Sequence, residues 1–444
     1  MASLRSRRLE EVFGTTVNAL EHEHIKSLVT NAVREQSDLD FKLTLYERND
    51  KGKYALAGDV AAMANTAGGV ILLGVGEDDH GAAGTVPGVD IGDEEIRRIH
   101  SVVAGNVFPL PALEVRPIKD PDQPEGHGLL AIIVPRSSLA PHGVLVNSGF
   151  RYPRRNGTTT TYLSESDVAT AYRERFAGLQ SRAEDAEHLA HQLIDRLDVT
   201  RDLSVVVSLV PDLPGMFTLD SAALSAFRQE TISRDPRIVP RGSHWRNVGV
   251  AGRRLTADGG KTDTGLATWM ACDLHTNGSG AFALALTHKL QDMEILQVAD
   301  EDFVMAIWSG LDFLVRHARD RAATTGNASV YVTITSISNN RRPAQLVHYR
   351  GGYIDSVVDG HTILTTPTAS GIVDIDGVAE SGPEIIAATA RLANDIVQHF
   401  GLPENYQVTT GGSLRRRYWD RGRHTALARW AEQANVDITD DVVG

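Results

Sequence analysis

The sequence feature that most constrains the fold is an apolar run at residues 70–75 (VILLGV), followed directly by acidic residues at 77–79. A continuous apolar run of this length predicts a strand that is covered on both faces. Upstream, residues 38–45 alternate between polar and apolar, which predicts a half-buried strand with Asp38, Asp40 and Lys42 on one face. Residues 53–66 carry apolar residues at helical spacing before a glycine pair, which predicts a helix between the two strands.

If these two strands are neighbours, carboxylates from both converge. Glu35 lies at the turn before the first strand, and Glu77 and Asp78 follow the second. Clustered carboxylates repel one another unless they are hydrated, protonated or bridged by a cation. Mg²⁺ or Mn²⁺ held by such oxygens can polarise a phosphodiester and activate water. Spacing alone leaves two interpretations open, a nuclease-type metal site and a set of solvated acidic turns.

Residues 15–180 resemble the Schlafen-type AlbA-like domain. The motifs that carry the resemblance are Glu35, residues 40–42 (DFK), 64–69 (ANTAGG), 74–75 (GV) before Glu77, 134–135 (VP), 141–142 (PH) and 155–159 (RNGTT). The resemblance implies an α+β fold with a mixed or antiparallel sheet, and the element pattern downstream predicts a second α+β domain.

The resemblance also implies a site and an activity. In Schlafen members that cut RNA, three carboxylates bind a divalent metal, and by position these fall on Glu35, Asp40 and Glu77. Asp78 is an alternative third ligand, and Lys42 is expected near the scissile phosphate. This chain departs from the family pattern, in which the second position is more usually Glu and the third Asp.

Two functions follow from this resemblance. The first is a metal-dependent endoribonuclease that uses Mg²⁺ or Mn²⁺ on structured RNA such as tRNA, in stress or anti-phage defence. The alternative is a non-catalytic RNA- or DNA-binding or regulatory protein, in which the acidic cluster is structural and the C-terminal domain senses a ligand such as a nucleotide.

The net charge of −13 argues against nucleic-acid binding by bulk attraction, so binding would need a local basic surface. Two candidate surfaces are present, and their arginines are Arg151, Arg154, Arg155, Arg415, Arg416 and Arg417. The second group is followed by a Tyr-Trp pair, and such a basic and aromatic run can grip phosphates and stack bases. A solvated helix end is the competing interpretation of that run.

The remaining sequence features predict compartment and organisation. A single cysteine, Cys272, excludes an intramolecular disulfide and a cysteine-rich zinc site. The polar N-terminus lacks the pattern of a signal peptide and no apolar run approaches membrane-spanning length, so we expect a cytoplasmic protein. We predict an N-terminal extension (1–20), an AlbA-like domain (21–180), a helical linker (181–200) and a C-terminal α+β domain (201–444). The resemblance also implies a substrate groove, which cleaving Schlafens build from two similar lobes. This sequence contains only one such lobe, so we expect a homodimer or the C-terminal domain to supply the other wall of the groove.

Overall fold

The computed structural model describes residues 4–232, 235–240, 245–260, 270–288, 293–335, 337, 342–350, 353–358 and 360–442. The chain divides into two compact units, Met1–Leu179 and Gln180–Gly444. Both units mix helices with mainly antiparallel sheets, which confirms the predicted α+β class. None of the described helices is long and apolar enough to cross a membrane.

The first unit contains four complete helices and twelve strands among its described residues, and it shares a fifth helix with the second unit. The helices are α1 (Arg7–Phe13), α2 (His22–Thr30), α3 (Asp50–Ala64), α4 (Asp93–Asn106) and α5 (Glu165–Ile194). The strands are β1 (Leu39–Lys42), β2 (Gly68–Leu73), β3 (Gly76–Glu77), β4 (Ala83–Thr85), β5 (Val89–Asp90), β6 (Val107–Phe108), β7 (Glu114–Lys119), β8 (His127–Pro135), β9 (Gly143–Val146), β10 (Gly149–Arg151), β11 (Pro153–Asn156) and β12 (Thr159–Tyr162).

The main sheet of this unit has the order β1-β2-β8-β5, and β7 also pairs with β8. Strands β1 and β2 are parallel neighbours, with Asp40 opposite Ile71, so the two predicted strands are adjacent. Every residue of β2 is buried. Ile71 belongs to the core formed with α3 and α4, whereas Val70 and Leu72 belong to the core formed with α1 and α2. The prediction of a strand covered on both faces is confirmed.

The N-terminal segment, which the sequence analysis set apart as an extension, is packed against this sheet. Leu9 and Phe13 of α1 are almost fully buried in the same core as Val70. Arg8 on the same helix forms an ion pair with Asp38 just before β1. A helix of two turns carries too few apolar residues to show a periodicity, so its packing is visible only in the tertiary structure.

The second unit is built on a seven-stranded antiparallel sheet of order β14-β15-β16-β17-β13-β19-β22. Its strands are β13 (Asp202–Pro211), β14 (Asn247–Ala251), β15 (Arg254–Asp258), β16 (Met270–His275), β17 (Gly280–His288), β18 (Leu296–Ala299), β19 (Asn327–Ile334), β20 (Ala344–Arg350), β21 (Tyr353–Val357), β22 (Thr368–Asp374), β23 (Leu414–Arg415) and β24 (Ile438–Thr439). Its helices are α6 (Ser221–Ile232), α7 (Asp300–Arg316), α8 (Ile375–Ala379), α9 (Pro383–His399) and α10 (His424–Ala434).

The segment predicted as a linker is helical, but it is part of a core. Ala186, Ala190 and Leu193 of α5 are fully buried against Val206 of β13. The opposite face of the same sheet is covered by α7 and α9. The C-terminal half of α5 therefore completes the second unit instead of spanning open solvent.

Candidate active site

Strand β1 places Asp40 and Lys42 on the face of the sheet that α3 covers, because Leu39 and Phe41 pack into the opposite core. Two cations pair with the Asp40 carboxylate. Arg155 Nη1 lies 3.1 Å from its Oδ1, and Lys42 Nζ lies 2.5 Å from its Oδ2. The side chains of Asp40 and Arg155 are each 2% exposed, whereas that of Lys42 is 34% exposed. Lys42 is therefore the cation of this group that solvent reaches.

Glu35 approaches the same strand from the turn before it. Its Oε1 accepts a hydrogen bond from the backbone N–H of Phe41. Burial raises the pKa of Glu35 to about 7, and repulsion by Asp40 and Glu77 acts in the same direction, while the Phe41 hydrogen bond and Lys42 oppose it. The three predicted carboxylates thus lie close enough to interact electrostatically. One of them exchanges its proton near neutral pH.

The Asn-Thr pair at the end of α3 holds Arg155 in place. Asn65 Nδ2 donates to the carbonyl oxygens of His142 and Pro153, both at 2.9 Å, and Asn65 Oδ1 accepts from the N–H of His142 at 2.7 Å. The Thr66 hydroxyl accepts from the backbone N–H of Arg155 at 3.0 Å. These bonds fix β11 over α3 and so bring the arginine to the β1 carboxylate.

The remaining predicted metal donors are arranged differently. Glu77 is exposed on the β3–β4 hairpin. Asp78 Oδ1 accepts from the N–H groups of Ala82 (2.9 Å) and His80 (2.8 Å), and these bonds hold the pKa of Asp78 below its usual range. Asp78 thus shapes its own turn, and Asp40 is already paired with two cations. Among the residues that the structure describes, no group of three His, Cys, Asp or Glu side chains is placed to hold a metal ion. The described donor set therefore does not form a ready site for Mg²⁺ or Mn²⁺.

The arginines of the first predicted basic surface fall into two groups. Arg151 and Arg154 are exposed, and the Arg151 guanidinium lies 5.8 Å from the ring centre of Tyr162. Arg155 is buried, and it donates to Asp40 and to the carbonyl oxygen of Gln36. The prediction that Arg155 binds phosphate is therefore corrected, because a buried guanidinium with protein partners is not free to contact a phosphate. Its role is to position Asp40 in the group of Glu35, Asp40, Lys42 and Arg155, called the centre below.

The second basic surface divides in the same way. Arg415 is buried and donates to the carbonyl oxygen of Asn405 and to the carboxylate of Glu404, so it holds a loop of the second unit and does not face phosphate. Arg416 and Arg417 are exposed on a short 3₁₀ turn.

The sequence analysis did not identify two residues next to the centre, Tyr46 and Asp59. The Tyr46 hydroxyl donates to Asp59 Oδ2 at 2.7 Å, and burial raises the pKa of Asp59 while Lys42 opposes the shift. Asp59 lies on α3 between Leu56 and Val60, which are both fully buried. In the sequence, the signal that identifies Asp59 is an acidic residue within an otherwise apolar stretch of helix.

We expect Glu35→Gln to stabilise the protein at pH 8 by about 1 kcal/mol and to leave it unchanged at pH 4. A carboxyl whose pKa is raised from 4.5 to about 7 is protonated more readily in the folded state, so it lowers stability as pH rises through this interval. The full shift is discounted because Glu35 is partly exposed. Urea unfolding at both pH values measures the difference, and equal stabilities at pH 8 would contradict it.

Comparison with known proteins gives matches to the first unit. Residues 35–163 match the model of the Schlafen AlbA_2 family. Among solved structures, the DIP2311 protein from Corynebacterium diphtheriae is 18% identical with a TM-score of 0.24, and the match covers 38% of this chain and 29% of that protein. The N-terminal domain of a RecG-related protein from Nitrosomonas europaea is 23% identical with a TM-score of 0.23, over 32% of this chain and 94% of that domain.

No curated protein matched the chain. The family match begins at Glu35 and includes Asp40, Glu77 and Arg155, so it contains every member of the centre described above. Residues 35–163 therefore form a Schlafen AlbA_2 domain, as the motifs of the sequence predicted.

Proposed function

We propose that this chain is an endoribonuclease that hydrolyses structured RNA, such as tRNA, at the centre formed by Glu35, Asp40, Lys42 and Arg155. The Schlafen AlbA_2 domain suggests a nucleic-acid-related function. One observation carries the finer proposal: a carboxyl group with a pKa of about 7 lies beside a solvent-accessible lysine. A role in stress or anti-phage defence stays a prediction, as do the homodimer and the compartment.

Each residue of the centre has a separate task in hydrolysis. Glu35 Oε1 is held by Phe41, and its second oxygen, Oε2, takes a proton from the attacking water. The water oxygen bonds to phosphorus as the bond to the leaving oxygen breaks, and the leaving oxygen takes a proton from solvent. Lys42 stabilises the charge that develops on the phosphate. Asp40 and Arg155 are positioning residues, since both are buried.

We expect wild-type protein to cleave a tRNA pool with a rate that rises with pH through about 7, because the ionised form of Glu35 is the base. Glu35→Gln is expected to lower the rate by about 10²- to 10⁴-fold. Lys42→Met is expected to lower it by about 10²-fold. Gel analysis of end-labelled tRNA from pH 5 to 9 measures the pH dependence and the rate of each variant.

The control for this assay is Glu125→Gln, which changes an exposed carboxyl in the loop between β7 and β8 and is expected to leave the rate unchanged. Parallel reactions in Mg²⁺, in Mn²⁺ and in EDTA test the metal requirement that the resemblance implies. Cleavage by Glu35→Gln with the wild-type pH profile would exclude Glu35 as the base.

The second candidate function is a non-catalytic nucleic-acid-binding or regulatory protein. It is favoured by the buried Asp40–Arg155 pair, which ties β11 to β1 as a structural bond would. No cleavage by wild-type protein in any metal, together with equal RNA binding by wild type, Glu35→Gln and Lys42→Met, would support this function.

A further inference from the structure

A line of five aromatic rings runs along the first unit, and three of the rings are exposed while the two between them are partly buried. Its members, named here the aromatic track, are Phe108, Phe150, Tyr152, Tyr172 and Phe176. Successive ring centres are 6.0, 6.4, 6.3 and 6.3 Å apart. Phe108, Phe150 and Phe176 are 43%, 52% and 63% exposed. A contiguous exposed aromatic surface of this kind marks a binding site more often than chance exposure does.

The strand part of the aromatic track has basic surroundings, whereas the α5 part carries both signs, with Glu174 between Arg173 and Arg175. The chain from residue 136 to residue 163 contains four arginines, of which Arg155 is buried, and no Asp or Glu, in a protein with a net charge of −13. Arg151 and Arg154 are exposed in this stretch. The Arg175 guanidinium lies 5.7 Å from the ring centre of Phe176 at the end of the track. Rings combined with arginines match the bases and phosphates of a single nucleic-acid strand.

The same charges argue against a second copy of this chain as the occupant. In a symmetric dimer the same patch lies on both sides of the interface, so the arginines of one subunit would face those of the other. Like charges brought together without counter-ions repel one another. A polyanion would instead be attracted by the exposed Arg151 and Arg154.

The aromatic track leads toward the candidate active site through one continuous segment. Phe150 lies on β10, Tyr152 follows it, and Arg155 on β11 pairs with Asp40. Phe150 and Arg155 are five residue steps apart along the chain, which limits their separation to about 16 Å. A strand bound on the track therefore lies within a few nucleotides of the centre.

We propose that the aromatic track binds the unpaired bases of an RNA strand that extends from a structured region. If the chain is also the nuclease proposed above, cleavage falls at the junction between the paired and unpaired regions, and only this consequence rests on the proposed function. Stacking on these rings is sequence-tolerant, because every base presents a π face. The substrate class is thus a structured RNA with a single-stranded tail, whatever the sequence of that tail.

The test measures binding of the full chain in EDTA, by fluorescence anisotropy, to a labelled RNA hairpin with a six-nucleotide tail and to the same hairpin without it. We expect the tailed hairpin to bind about 10-fold more tightly or better. Phe150→Ala and Phe176→Ala are expected to remove most of this preference, whereas Phe150→Trp should keep it. Met216→Ala, at a residue that is 74% exposed in the second unit, is the control and should change nothing.

Equal binding of the two hairpins, or an unchanged tail preference in both alanine variants, would overturn the proposal. Sedimentation velocity tests the competing occupant: a wild-type dimer that Phe150→Ala converts to a monomer would also overturn it, because the track would then be a self-interface. A tail preference that depends on the rings, without any cleavage in Mg²⁺ or Mn²⁺, supports the track and rejects only the nuclease proposal.

Discussion

Replacing Asp40 with alanine is expected to destabilise the protein by about 3–5 kcal/mol. The substitution removes the carboxylate that pairs with Arg155, whose side chain is 2% exposed. A buried cation that loses its partner keeps its desolvation penalty, which is why breaking one side of a buried pair costs more than the pair contributes. Urea unfolding of wild type and variant, followed by a probe in the first unit, measures the loss.

Two further variants make this prediction specific. Asp122→Ala removes the partner of Lys26 at an ion pair whose side chains are 53% and 75% exposed, and we expect it to cost less than about 1 kcal/mol. The double variant Asp40→Leu with Arg155→Met removes both buried charges, and it should recover most of the stability that Asp40→Ala loses. A loss in Asp40→Ala no larger than that in Asp122→Ala would mean that the interior pair is not energetically significant.

Replacing Gly69 with alanine is expected to destabilise the protein by about 2–4 kcal/mol, from overpacking and backbone strain. An added Cβ would lie 2.5 Å from the carbonyl oxygen of Asp38 and 2.6 Å from Met63 Sδ, at a φ of +159°. The Asp38 oxygen cannot simply move away, because it accepts a hydrogen bond from the N–H of Val70 at 2.9 Å. Strand β1 would have to shift relative to β2, and the centre would shift with it.

Gly58→Ala is the matched control, since Gly58 lies within α3 and an added Cβ would meet no atom within 4 Å. Here we expect stabilisation by about 0.4–1 kcal/mol, because alanine restricts the unfolded chain and favours the helix. Thermal unfolding of the two variants side by side checks both signs. A stability of Gly69→Ala equal to that of wild type would show that β1 tolerates displacement.

The main sheet and part of the site could be predicted from the sequence because their signals are local. The apolar run of β2, the alternation in β1 and the periodicity of α3 each lie within a few residues. The structure bears out these elements and the adjacency of β1 and β2. Glu35, Asp40 and Lys42 follow from the same short motif.

The rest of the site depends on contacts between distant residues, which leave no local signal. Arg155 was predicted as a phosphate ligand because its neighbours Arg151 and Arg154 are basic, but it pairs with Asp40 across 115 positions of chain. Only the sheet topology and the Asn65 contacts reveal that pairing. Leu9 on α1 was missed for a similar reason, since its burial depends on a core contributed by other elements.

The distance in sequence between Asp40 and Arg155 also sets an order of events during synthesis. A nascent chain that ends before residue 153 carries Glu35, Asp40 and Lys42 but lacks Arg155, the buried one of the two cations that pair with Asp40. It also lacks Pro153, one of the carbonyl partners of Asn65. The centre is therefore completed only after β11 has left the ribosome and docked on α3, so an N-terminal segment that ends before β11 carries its carboxylates without an assembled centre.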